Sequence, residues 1–99
     1  MSLRDVMAEY RRLTILRALD EYGYSANEDV LKTVCNEFSN FATKDLVRAD
    51  ISFLNEHGLV RLEKLQKESG EIWIAHLLTA GQEVAKGRVH PGVARREPG

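Results

Sequence analysis

Residues 43–60 read TKDLVRADISFLNEHGLV, and the folding of this stretch decides the architecture. Thr43 is a good helix N-cap, Asp45 suits the positive end of a helix dipole, and Gly58 is a good stop. At about 100° per residue, Leu46, Val47, Ile51 and Leu54 share one side, with Phe53 at its margin. The opposite side carries Asp45, Arg48, Ser52, Asn55 and Glu56. Asp50 falls nearer the apolar side, where a carboxylate needs a partner, an arginine or a helix-terminal amide. The pattern predicts an amphipathic helix over 43–57 with a polar side free to meet something.

Past Gly58 the period becomes two. Val60 and Leu62 alternate with Arg61 and Glu63, and KLQKESGE makes a polar turn around Ser69-Gly70. Ile72, Ile74 and Leu78 then point one way, with His76 in phase, while Trp73, Ala75 and Leu77 point the other. That is a β-hairpin. Packing of Trp73 onto the helices is favoured over exposure, because a tryptophan buries so much area. Thr79 and Gln82 match a capping box and open a last short helix, AGQEVAK, stopped by Gly87. The end, RVHPGVARREPG, carries both prolines and no apolar period, so residues 88–99 are expected to be a basic, mobile tail after a domain of residues 1–87.

Upstream, residues 3–20 lack Pro and Gly and predict a long first helix. Its apolar stripe, Leu3, Val6, Tyr10, Leu13, Leu16 and Leu19, steps by three and so drifts around the cylinder. Two readings follow. Either both ends pack on one small core, or the N-terminal half, with Leu3, Val6, Met7 and Tyr10, buries against a second copy. Gly23 ends the helix. SANE, residues 25–28, matches a capping box with Ser25 as cap and Glu28 reaching back. Val30, Leu31, Val34, Cys35 and Phe38 follow at helical spacing and predict a second, short helix with those residues on its apolar flank. Cys35 reads as a small buried hydrophobe.

The order helix, helix, helix, hairpin, helix (α-α-α-β-β-α) is mainly α with a small β-hairpin: a winged helix-turn-helix. In that architecture the third helix lies in the major groove and the hairpin tip, or wing, touches the neighbouring backbone.

Composition bounds the function. Ninety-nine residues, 43% hydrophobic and 29% charged, suit one ordinary globular domain. No apolar run approaches the roughly 20 residues that span a membrane. The start, MSLRDVMAEYRR, lacks the apolar centre of a secretory signal. A single cysteine calls for no oxidising compartment, and the expected location is cytoplasmic. The net charge of −1 leaves phosphate attraction to local clusters of Lys and Arg. There is no phosphate-binding glycine loop, no H-E-x-x-H and no G-x-S-x-G, so no enzyme and no cofactor is expected. His57, His76 and His90 lie far apart in sequence on different elements, and each is read as an ordinary solvent or core histidine.

VRADISFLNEHGLV is similar to the third-helix pattern of DeoR-type bacterial repressors, V-R-x-D-[LI]-x-x-L-x-x-x-G-L-[VI]. LTAGQEVAKG looks like the leucine-threonine-glycine segment that follows the wing in many bacterial winged-helix regulators. From MSLRDVMAEYRRLTILRAL through GYSANE to VHPGVARR, the chain resembles a family of small proteins in Mu-like phages and prophages, often labelled ArsR-like transcriptional regulators. Metal-sensing ArsR proteins carry a Cys-x-Cys pair, whereas Cys35 stands alone here, so no metal effector is expected.

The resulting expectation is a phage or prophage regulator that binds double-stranded DNA as a homodimer. On the third helix the candidates are Thr43, Lys44, Arg48, Ser52 and Asn55: Arg48 to pair bidentately with a guanine, Asn55 with an adenine, and Thr43 with a phosphate. The wing offers Lys64 and Lys67, the tail Arg88, Arg95 and Arg96. Asp45, Glu56, Glu68 and Glu71 stand against them. The alternative is a winged-helix module that docks a host or phage protein and no DNA.

Overall fold

The computed structural model describes residues 2–38 and 40–95. Ser2 accepts the Asp5 amide on its hydroxyl and starts α1 (Leu3–Glu21). A short strand β1 (Ser25–Asn27) leads into α2 (Glu28–Glu37), and α3 (Lys44–Glu56) follows a connector. The hairpin is β2 (Val60–Lys67) and β3 (Gly70–Leu77), and α4 (Thr79–Ala85) closes the run. The sheet order is β1-β3-β2, antiparallel throughout. This is the winged-helix layout predicted from the sequence, with one strand more.

That extra strand corrects the reading of SANE. Ser25 pairs with His76 in the sheet instead of capping a helix. The N-cap of α2 is Asn27, whose Oδ1 accepts the Val30 amide at 2.9 Å. Both residues can cap, and pairing with β3 decides between them by holding residues 25–27 extended. The match at Thr79 fails similarly. Leu78 is the cap, without a side-chain bond, and Gln82 reaches Asp20 at 2.9 Å instead of back toward Thr79. Thr43 does cap α3, accepting from Leu46, and Gly58 (φ +71°) turns the chain out of it.

The core draws on every helix and on the inner face of the sheet. Ile15, Leu16 and Leu19 of α1 meet Leu31 and Cys35 of α2, Val47, Ile51 and Leu54 of α3, and Val84 and Ala85 of α4. Ala75 is buried between partly buried Trp73 and Leu77, so this alternation faces inward as expected. Burial pushes the Cys35 thiol up to about 12, and it is inert as a nucleophile at neutral pH. On α2, Val30 and Phe38 are exposed, although their spacing put them on the apolar flank. The helix has only 10 residues, and one narrow stripe, Leu31 and Cys35 with half-buried Val34, reaches the core.

Asp50 has the partners its position demanded. Arg11 Nε donates to Asp50 Oδ2 at 2.6 Å and Arg12 Nε to Oδ1 at 3.1 Å, joining α1 to α3 inside the protein. Burial pushes the Asp50 carboxyl up from its ordinary value, while the bonds and charges of Arg11 and Arg12 pull against it. Within the stretch expected to be a mobile tail, residues 92–94 pack on α1. Ala94 N–H donates to the Glu9 carbonyl, Arg12 donates to the Gly92 carbonyl, and Val93 is buried. Arg96 lies outside the described residues.

Candidate nucleic-acid interface

The face built by α3 and the hairpin is where a winged helix would meet DNA. Its outermost ridge follows the helical steps 45, 49, 52 and 56. Asp45, Ala49 and Glu56 are exposed and Ser52 is half-buried. Lys44 is exposed beside Thr43 at the start of the helix. Asn55 ties the helix to the first hairpin strand, accepting the Leu62 amide on Oδ1 at 3.1 Å.

Arg48 is held within the protein. Its Nε donates to Glu28 Oε1 at 2.6 Å, its terminal nitrogen to Glu28 Oε2 at 2.9 Å, and the same nitrogen to the Glu71 carbonyl at 3.0 Å. The guanidinium also lies 4.8 Å from the centre of the Trp73 ring. In this structure the guanidinium fork that the sequence reading offers to a guanine holds a carboxylate, whose fork geometry is the same. Glu28 also accepts the Trp73 amide at 2.8 Å, so one carboxylate, 1% exposed, joins the start of α2, the middle of α3 and β3. Burial alone would push Glu28 up. The bonds from Arg48 and Trp73 and the charge of Arg48 outweigh it, and the carboxyl ends below its ordinary value.

Lys64 stacks on the same Trp73 ring at 4.5 Å, and Trp73 Nε1 donates to Glu71 at 2.6 Å. Lys67 pairs with Gly70 at the hairpin tip and is exposed. Lys44, one turn before Arg48, is close enough to help hold Glu28 ionised. Lys44 and Arg48 of α3 thus flank Glu28, and Arg48 and Lys64 share the Trp73 ring of the hairpin. Arg88 lies elsewhere, paired with Glu83, and Arg95 borders a groove over α1. Of the proposed interface residues on α1, Leu3, Met7 and Tyr10 are exposed and Val6 is half-buried.

Sequence reasoning missed three arrangements. His57 and His90 meet, with His90 Nε2 3.1 Å from His57 Nδ1, and Phe53 stacks on the His57 ring at 4.0 Å. Ser25, His76 and Glu63 form a cross-strand ladder at 2.6 and 2.8 Å that pins β1 to the hairpin. Glu28 itself gave no sign of its role. All three depend on tertiary pairing, although a carboxylate placed where a helix begins is a weak cue. Among the described residues, no group of three or more His, Cys, Asp or Glu is placed to hold a metal, and no helix is long and apolar enough to cross a membrane.

Three helices against a small antiparallel sheet, with the hairpin flanking the third helix, define a small winged-helix protein. Over 97 residues, 97% of both chains, the sequence is 35% identical to an uncharacterized protein, gp26, of Escherichia phage Mu. The chain belongs to this phage gp26 family. An uncharacterized protein of Haemophilus influenzae is 36% identical over 66 residues, 67% of this chain and 65% of its own length. No family profile matches the chain, and no solved structure matches it.

Proposed function

We propose that this phage-family protein binds double-stranded DNA through its winged helix, as a dimer, and regulates transcription. The observation that carries this reading is the presence of Lys44 and Arg48 on α3, Lys64 beside Arg48 at the Trp73 ring, and Lys67 at the tip, on the elements a winged helix presents to a duplex. The lysines meet phosphates. Arg48 holds the wing at the right distance from α3 and keeps a quarter of its side chain open to the groove. Base contacts fall to Ser52 and the amide nitrogen of Asn55, so affinity rests on backbone contacts more than on direct reading.

The test is fluorescence anisotropy on duplexes tiled from a Mu-like genome, over a range of salt. Binding weakens steeply with salt, and Lys44→Ala/Lys64→Ala/Lys67→Ala makes that dependence shallower by about 0.9 for each phosphate the variant no longer neutralises. No salt-sensitive retention on any duplex rules the reading out. A second reading, docking of a protein partner, is favoured by the exposed acids Asp45 and Glu56 on the α3 ridge. It predicts stoichiometric recovery of one partner, without DNA, through that ridge.

A further inference from the structure

The strip of α1 that faces away from the core follows the steps 3, 7, 10, 14, 17 and 21, the alternating four-three spacing of a two-helix seam. Its two halves differ. The first half is an apolar ridge of Leu3, Met7 and Tyr10, with Leu3 75% exposed. Among the described residues nothing covers Leu3 or Tyr10, although a protein surface rarely keeps such side chains in a row. The second half forms the floor of an open groove of about 440 Å³, reaching from Tyr10 to Tyr22 and bordered by Phe38 of the α2 end and by Arg95. Ridge and groove therefore lie end to end on one side of one helix of 19 residues, about 28 Å long.

We propose that a second copy of this chain covers this face, the two α1 helices pairing antiparallel so that each ridge enters the other's groove. This deepens the dimer assumed in the proposed function. The arrangement follows from geometry: a twofold axis between Tyr10 and Thr14 seats both ridges at once, the closed, self-complementary contact that a twofold requires.

Charge favours the same pairing. The last turn of α1 has no basic residue, yet Glu21 stands at the negative end of the helix dipole. The antiparallel register brings Arg4 of the other copy to that end, twice by symmetry, and sets the two dipoles head to tail. Leu3 and Met7 meanwhile enter a groove whose walls include Phe38 and Tyr22, both strongly exposed in the protomer.

Sedimentation equilibrium on the full chain is the test. The expected mass is that of two chains at micromolar concentration. Leu3→Glu, a change at an exposed site that faces Glu21 of the other copy in this register, yields single-chain mass with an unchanged circular dichroism spectrum. Arg4→Glu weakens the dimer at least tenfold, and Arg4→Glu combined with Glu21→Arg restores it. A wild-type chain that stays single at every concentration overturns the proposal, as does a dimer indifferent to Leu3→Glu. So does a single chain whose ridge takes up a different protein. Failure here is separable from failure of the DNA reading: a monomer that retains DNA overturns the interface and the dimer but leaves DNA binding standing, and a dimer that ignores DNA overturns only the regulator.

Discussion

Asp50 shows how single residues bind this fold together. It lies on the core side of α3, 1% exposed, and the two guanidiniums from α1 are its only counter-charges among the described residues. Asp50→Ala would leave Arg11, which is equally enclosed, without a partner. A buried charge stranded in this way costs about 3–5 kcal/mol, and urea unfolding should show a loss of that size. Asp50→Asn, which keeps one acceptor oxygen, should cost less. Glu28 acts in the same way on the other side of α3. Because its folded carboxyl sits below its ordinary value of 4.5, its stabilising contribution is present above that pH and is lost as pH falls through the folded value. Acid should therefore free Arg48 and Trp73 together. A red shift of Trp73 emission below pH 4.5 in wild type, already present at neutral pH in Glu28→Ala, is the expected result.

At the scale of elements, α4 is placed by a close approach. A Cβ on Gly81 would overlap the Leu59 carbonyl, which is backbone and cannot swing aside. Gly81→Ala should therefore push α4 off the start of β2 and lower the melting temperature by several degrees, the shift expected for about 1–2 kcal/mol in a domain of this size. An unchanged melting curve would contradict this packing. The same element shows how far local pattern reaches. The helix, its stop at Gly87 and its place after the wing could be read from LTAGQEVAKG, whereas the role of Gln82 could not. Periodicity reports which side of an element is apolar. It does not report what stands opposite, so Gln82 went to Asp20 and Ser25 to His76. Arg48 is the sharpest case. The helical wheel placed it correctly on the polar side of α3, yet Glu28 comes from 20 residues upstream and its approach is invisible to a wheel. The elements were readable because each follows from local pattern. The candidate site was half-readable, because long polar side chains choose partners only after the elements have packed.

Across the whole molecule, the chain closes on itself through a column of side chains, of which Phe53 and His57 are stacked and His90 meets His57 edge-on. Arg12 lies 3.9 Å over Phe53, Phe53 stacks on His57, and His57 meets His90 on the segment that follows α4. Together with the Gly92 and Ala94 backbone bonds, this column fixes residues 90–94 against α1 and α3. Burial lowers the His90 pKa from 6.5, and the nearby charges of His57 and Arg88 lower it further. The direction sets the sign. Below pH 6.5 the unfolded or released segment takes up a proton that the docked segment resists, so docking is stable above 6.5 and weakens as pH falls through the folded value. The Ala94 amide, bonded to the Glu9 carbonyl, is the reporter. Its hydrogen-exchange protection should be level above pH 6.5 and drop as pH falls below it. The drop should be absent in His90→Gln, which has no proton to gain. Because Arg95 borders the α1 groove, release of the segment should also remove one wall of the surface offered to a second copy, so the dimer should weaken over the same interval. Protection that stays level in wild type down to about pH 5 would mean that the backbone bonds alone hold the segment, with the histidine pair a bystander.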